Sequence, residues 1–332
     1  MNKMTPNINL SVSLTHELRL EQALKEAGIE NPATVICLTI AGTMTEDDFR
    51  YIGQNMAKTL NELDMSNATV EGIFSLHGCE GLSSISIPAS VESICITAFE
   101  DSEFLSEVTV HPDNPVYASE NNVIFSKDKT KLLFCPQVFY LGEYIIPDSV
   151  AEIGNFAFSD CQGLTSIVIP ASVTEIGKDA FYCYYPLCSE LISITVHPEN
   201  PAFASVNGVL FSKDMTELLV YPTGLRGGYA IPDSVVKIRD GAFLTYPDLT
   251  SVNIPASVIE IGDLAFSRDG TFEDTIFVTV HPDNPVYASE NGKIKRKRKP
   301  KEIKKIKTLK DLHDLFNVPE KYRVMDEDSI FF

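Results

Sequence analysis

The chain contains no tryptophan and no apolar run long enough to cross a bilayer; its longest, such as VICLTIAG from Val35, are strand-sized. It has no GxSxG, no HExxH, no P-loop and no GxGxxG in a βαβ setting, so the common hydrolase, metalloprotease and nucleotide-binding signatures are missing. The cysteines number seven, an odd count, and form no CxxC. Cys183 and Cys188 are the nearest pair, with no second His/Cys pair at metal-ligand spacing. The expectation is buried structural thiols, with neither a disulfide framework nor a metal or redox site. The first twenty residues lack the apolar core of roughly 7–15 residues that a secretory leader needs. On that reading the protein stays inside, starts further upstream, or leaves by another route.

Basic residues are scarce over most of the length. Residues 293–332 hold 13 of the 27 Lys and Arg but only 7 of the 46 Asp and Glu. That segment carries +6, and everything before it −25. Phosphate would be repelled by so acidic a body, which argues against nucleic acid as its partner, except through the basic segment.

What the sequence does have is repetition, the first thing to read in any chain. LSSISIPASVESICITAF from Leu82, LTSIVIPASVTEIGKDAF from Leu164 and LTSVNIPASVIEIGDLAF from Leu249 share one pattern. IPDSVAEIGNFAF from Ile146 and IPDSVVKIRDGAF from Ile231 repeat its second half. A longer unit begins VTVHPDNPVYASEN at Val108, returns as TVHPENPAFASVNG at Thr195, and starts again at Val278. Pro147 to Pro232 and Pro170 to Pro255 are both 85 residues apart, so short and long units alternate in a super-repeat.

In the short unit Ile85 and Ile87 alternate with Ser84 and Ser86, the period of a strand with one buried face. Pro88 ends it by removing a ladder donor. Val91, Ile94, Ala98 and Phe99 then turn inward through a tight, non-strand return. One unit cannot bury its own apolar edge, but stacked copies set Leu on Leu, Ile on Ile and Phe on Phe. In the long unit Val123 to Phe125 and Leu132 to Phe134 flank a polar turn, which reads as a hairpin that projects from the solenoid or folds against it.

Residues 1–75 read as an α/β capping region: a helix in HELRLEQALKEAG closed by Gly28, a strand in VICLTIAG, a helix N-capped by Thr45 with Asp47 and Asp48 in its first turn, and a divergent first repeat strand in LNELDMSNATV. Residues 76–292 are the repeats. After Gly292 the expected apolar strand is replaced by KIKRKRKPKEIKKIK, so the hairpin is expected to be lost mid-repeat, with a short helix in KTLKDLHDLFNVPEKY. This basic tail, 293–332, reads as a frameshift or truncation product, a degenerate cap, or a module for anionic surfaces.

These motifs resemble the BspA-like leucine-rich repeats, of the form LxxIxIPxSVxxIGxxAF, found in bacterial surface proteins and in surface proteins of some protozoan parasites. The match covers about Leu76 to Gly292, and the N-terminal block resembles the leader that precedes such repeats in gut and oral Bacteroidetes. The resemblance implies a curved, β-rich horseshoe with hairpin insertions that adheres to host, bacterial or matrix proteins. It also implies export, which the missing leader opposes; the alternative is an intracellular scaffold.

No cofactor or enzymatic centre is expected. His111, His197 and His281 recur in HPxNP, which a turn explains better than three active sites. His16, His77 and His313 stand outside any pattern. The Asp113-Asn114 pair lacks the spaced oxygen ligands of a calcium site and reads as turn capping. Asn67-Ala68-Thr69 is a glycosylation sequon, relevant only in a secreting eukaryote.

The candidate partner-binding face is the outward strand position: Ser86, Thr109, Ile145, Val168, Thr195, Ala230, Asn253 and Thr279. Such small side chains leave an open β-face, though without outward Tyr, Trp or Arg anchors. The second candidate is the hairpin edge, with Lys127, Lys129, Lys131 and Lys213. A merely solvated surface is the competing reading for both.

Overall fold

A computed structural model describes residues 8–95, 97–99, 101–140, 142–183, 190–243, 248–266 and 276–297. The helix expected in KTLKDLHDLFNVPEKY lies outside the described residues.

The chain opens with strand β1 (Ile8–Leu14), helix α1 (Leu20–Glu26), strand β2 (Val35–Thr45), helix α2 (Glu46–Asn55) and strand β3 (Glu62–Glu71). Strand β1 was missed by sequence reasoning, although Ile8, Leu10, Val12 and Leu14 alternate with polar residues. Helix α1 is shorter than its pattern. It buries Leu20, Ala23 and Leu24 and ends at Gly28, whose φ of +77° lets Ile29 N–H reach the Leu24 carbonyl at 2.9 Å. Helix α2 is N-capped by Thr45, as expected. Asp48 is buried there, accepting from Thr45 N at 2.9 Å and Leu20 N at 3.0 Å and pairing with Arg19.

The repeats continue with β4 (Ser84–Ile87) and β5 (Glu107–Val110), then a meander of β6 (Tyr117–Glu120), β7 (Val123–Ser126) and β8 (Lys131–Phe134). Next come β9 (Glu143–Ile145), β10 (Glu152–Ile153), β11 (Ser166–Ile169), β12 (Glu175–Ile176) and β13 (Ser193–Val196). A second meander follows, β14 (Phe203–Val206), β15 (Val209–Ser212) and β16 (Glu217–Val220). The described chain closes with β17 (Gly227–Ala230), β18 (Lys237–Ile238), β19 (Leu249–Ile254), β20 (Glu260–Ile261), β21 (Phe277–Val280), β22 (Tyr287–Glu290) and β23 (Lys293–Arg296).

Two kinds of parallel ladder make this a solenoid. The IxIP strands stack in three sheets, β1-β2-β3-β4-β5, β9-β11-β13 and β17-β19-β21. The N-terminal block thus continues the repeat sheet. Four returns, expected to hold no strand, carry two-residue strands instead (β10, β12, β18 and β20), and these pair beside the last meander strands to form the second kind: β8-β10-β12 and β16-β18-β20. A two-residue strand gives no alternation long enough to see in sequence.

The meanders fold in rather than project. Val123, Ile124, Phe125 and Leu132 are fully buried, and β8 donates its edge to β10. Between them run columns of aromatic rings: Phe49, Phe74, Phe99 and Phe134 meet edge-on or tilted in one, and Phe158 stacks on Phe181 at 5.6 Å and Phe243 on Phe266 at 4.8 Å in others. Such contacts add to area burial.

Two expectations need correction. The hairpin after Gly292 is not lost: β23 pairs antiparallel with β22 in the register of its earlier copies, Glu290 facing Lys293 as Glu120 faces Val123. Five described cysteines stand outside any disulfide, but Cys183 is disulfide-bonded. The odd total argued against a disulfide framework but could not exclude a single bond.

Candidate functional site

The turns that shape the surface are set by the HPxNP motif. Asn114, Asn200 and Asn284 are wholly buried. The Asn114 amide donates to Pro88 O at 3.0 Å and Val91 O at 2.8 Å, and its oxygen accepts from Val116 N and Tyr117 N. Asn200 and Asn284 repeat this set. One side chain thereby satisfies buried backbone groups on two successive units. The histidines do turn work: Nδ1 of His111, His197 and His281 each accepts from the backbone N–H two residues on, at 3.2 Å. Ser119, Ser205 and Ser289 accept from Val110 N, Val196 N and Val280 N, tying each meander to the preceding strand. The asparagine was legible as turn capping; its burial was not.

The outward candidates fall into register, but not into one strip. Ser86 faces Thr109; Ile145, Val168 and Thr195 form a second row; Ala230, Asn253 and Thr279 form a third. The inserted meanders divide the rows, because each shifts the chain to the other ladder before the next IxIP strand begins. Thr109 Oγ1 meets Ser86 Oγ at 3.1 Å, so the first row is knitted together locally. A second outward column, not considered from sequence, holds Ser84 and Glu107, then Glu143, Ser166 and Ser193, then Ser251 and Phe277.

The expected lack of aromatic anchors does not hold for the strand ends. Phe104 and Tyr140 are 61% and 81% exposed and line one shallow hollow with Asn61, Ser83 and Gln162. Both stand four residues before an inward strand residue, where neighbouring units place Gly81 and Gly163. Gly163 has φ +76°, and a Cβ there would meet Phe139 O at 2.4 Å. Aligning that column would have found the two aromatics. On the strands themselves Ile145 is 65% and Phe277 59% exposed.

The hairpin-edge lysines are engaged within the chain. Lys127 Nζ donates to Pro112 O at 2.7 Å and Lys213 Nζ to Pro198 O at 2.8 Å. Lys129 pairs with Glu120, and Lys131 with Glu152 at 2.6 Å. They staple turns before they offer charge to a partner.

Among the described residues no three His, Cys, Asp or Glu side chains converge as a metal site would require. No described helix is long and apolar enough to cross a membrane. Burial pushes the Cys79 thiol up to about 12 and raises Cys161 well above an ordinary thiol, so neither is primed as a nucleophile.

No match was found among curated protein sequences. Solved structures of similar fold include a leucine-rich cell-surface protein of Faecalibacterium prausnitzii A2-165, at 22% identity over 77% of this chain and 66% of that one, TM-score 0.43. A leucine-rich repeat protein of Eubacterium ventriosum ATCC 27560 follows at 23% identity over 67% and 62%, TM-score 0.42. The pneumococcal vaccine antigen PcpA shows 19% identity over 74% and 51%, TM-score 0.38. The chain therefore spans between half and two thirds of the length of these three proteins. The BspA type leucine-rich repeat region matches in six copies, over residues 69–143, 134–217 and 228–308. With more than half of its length matched, the chain belongs to the BspA-type leucine-rich repeat family.

Proposed function

We propose that this chain is a non-enzymatic protein-binding solenoid at a bacterial cell surface, where it adheres to a host, matrix or other surface protein. The observation that carries the reading is the pair Phe104 and Tyr140, exposed at the rim of a strand face that mixes small polar residues with exposed Ile145 and Phe277. Exposed aromatics beside open strand rows are what an extended partner would use as anchors, with Ser86, Thr109, Val168, Thr195, Asn253 and Thr279 as the floor. Family membership supports a macromolecular partner; it does not name one.

An intracellular scaffold is the second reading, favoured by the five cysteines that stand outside any disulfide. The disulfide at Cys183 weighs the other way, because such bonds persist in oxidising compartments.

Two measurements test the proposal. Protease shaving of intact source cells, with mass spectrometry of released peptides, should yield HPDNPVYASEN while a cytosolic marker stays inside. Recovery only after lysis would favour the scaffold. Binding of the purified chain to a panel of immobilised matrix and serum proteins should then fall when Phe104 and Tyr140 are both changed to Ser. Full binding by that variant would remove the rim from the site.

A further inference from the structure

Two buried cysteines meet in the middle of the array. Cys135 follows β8, the last strand of the first meander, and Cys161 lies in the return of the next unit, 26 residues on. They are 0% and 5% exposed. Cys161 Sγ stands 3.6 Å from Cys135 O and 3.5 Å from Pro136 O. Backbone bonds hold the two segments together on either side of this contact. Cys135 N–H donates to Ala157 O at 2.7 Å, and Phe139 N–H donates to Gln162 O at 2.8 Å. Burial first, and then a hydrogen bond with the Cys135 side chain, raise the Cys161 thiol well above its ordinary value.

A small buried residue at the position of Cys161 is a habit of the repeat. Cys79, Ser102 and Cys161 stand three residues ahead of the inward Leu82, Leu105 and Leu164. Cys161 alone would therefore be no more than a small core residue. Cys135 is not explained that way. LLFCP at Leu132 aligns with LLVYP at Leu218, so the second super-repeat has Tyr221 where the first has Cys135. It also has Tyr246 where the first has Cys161. The two cysteines occur together in one super-repeat and are replaced together in the other. Cys79 supplies the contrast, because burial alone pushes its thiol up, to about 12.

We propose that Cys135 and Cys161 form a disulfide site, joined as the chain folds in the presence of a small-molecule disulfide such as oxidised glutathione. One cysteine, as its thiolate, attacks a sulfur of the small disulfide, forms a mixed disulfide and releases one small thiol. The second cysteine attacks that mixed bond and releases the other. Two S–H bonds of the protein are lost and two small thiols are gained, so one S–S bond forms for one broken. The exchange precedes closure of the meander, since a buried thiol is both inaccessible and poorly ionised. After closure the same burial shields the bond from reduction. The disulfide at Cys183 is a precedent for an oxidised cysteine in this fold. The new bond ties the end of the first meander to the unit that follows, and it does not depend on the protein-binding reading above.

The test begins with the full chain unfolded in denaturant and reductant, then refolded in a mixture of oxidised and reduced glutathione. Remaining thiols are blocked with iodoacetamide, and the chain is cleaved at glutamate without reduction. Cuts at Glu120, Glu143, Glu152 and Glu175 place Cys135 in residues 121–143 and Cys161 in residues 153–175, each the sole cysteine of its peptide. Mass spectrometry should find these two peptides joined, lighter by two hydrogens than their sum, while Cys79 is alkylated. The refolded chain should melt about 5 °C above Cys135→Ala and Cys161→Ala refolded in the same mixture. Excess reductant should erase that advantage, whereas the loss of a merely well-packed thiol would persist in reductant. Should the alanine variants fail to fold, peptide mapping of the parent chain decides alone.

Recovery of the two peptides separately, each alkylated, overturns the site, as does either cysteine joined to any other. A melting advantage that survives reductant reduces the pair to packing and overturns it too.

Discussion

The three long units make an instructive comparison, because two are followed by an apolar return and the third by a run of lysines. Val123, Ile124 and Phe125 of β7 and Val209, Leu210 and Phe211 of β15 are buried; in β23 Lys293, Lys295 and Arg296 are exposed and Ile294 half-buried. The β22-β23 hairpin nevertheless keeps its register. Its turn residues are unchanged, with Asn291 at φ +52° and Gly292 at φ +75°, as Asn207 and Gly208 have in the second unit. Lys297 Nζ reaches back to Pro282 O at 3.3 Å, as Lys127 and Lys213 do to their own prolines. The hairpin is specified by its turn and its anchor, and the apolar content of the second strand is needed only where another unit packs upon it.

The largest effect should come from breaking the shared core. Ile167→Asp places an unpaired charge at a fully buried position in the middle of the array and should cost more than about 4 kcal/mol. Circular dichroism would then show loss of the cooperative melt; a variant as stable as the parent would mean that the strand register is wrong.

The comparison is sharpened by the asparagines. Asn114→Ala strands two carbonyls and two amides in a dry setting, for about 3 kcal/mol. Asn284→Ala removes the same bonds at an equally buried site beneath the hairpin with the exposed strand, and should cost about as much. Hydrogen exchange of Val116 and Val286 amides would read each site separately. A clearly smaller protection loss at Val286 would refute the idea that the asparagine anchors the third hairpin as it does the first.

A smaller effect is expected for Ser119→Ala, about 1 kcal/mol for one lost hydrogen bond to Val110 N.

Smallest is a pH effect confined to the first two units. Hydrogen bonds from Ser126, and then from Thr130, hold the Asp128 carboxyl below its ordinary 3.8, and Ser212 and Thr216 do the same for Asp214. A carboxyl lowered on folding stabilises the turn above its unfolded value and loses that contribution as pH falls through the folded one. Amide shifts of Thr130 and Thr216 should therefore titrate below 3.8, with no counterpart in the third unit; titration at the free-peptide value would show that these turns are open in solution.

Much of the fold was legible because the repeat prints its inward positions again and again. Ile85, Ile167 and Val252 are buried where alternation placed them, and the Thr45 cap and Gly28 stop fell where local chemistry put them. The second ladder escaped notice because Glu152–Ile153 and its equivalents are too short to show a period. Ser86, Thr109, Val168, Thr195, Asn253 and Thr279 did emerge outward, but their division into three rows depends on where the chain changes sheets, which no single unit encodes. Phe104 and Tyr140 were hidden by attention to what alternates rather than to what departs from glycine.

The parallel ladders also set how the molecule answers to force. Their hydrogen bonds run from strand to strand along the solenoid axis, so tension between the two ends loads one rung at a time. Successive rungs such as Ser84 and Glu107 are 23 residues apart. At roughly 3.4 Å per extended residue, each opened rung releases on the order of 80 Å of chain. Under shear such a molecule lengthens in steps, with the buried asparagines as the catches that set where each step halts.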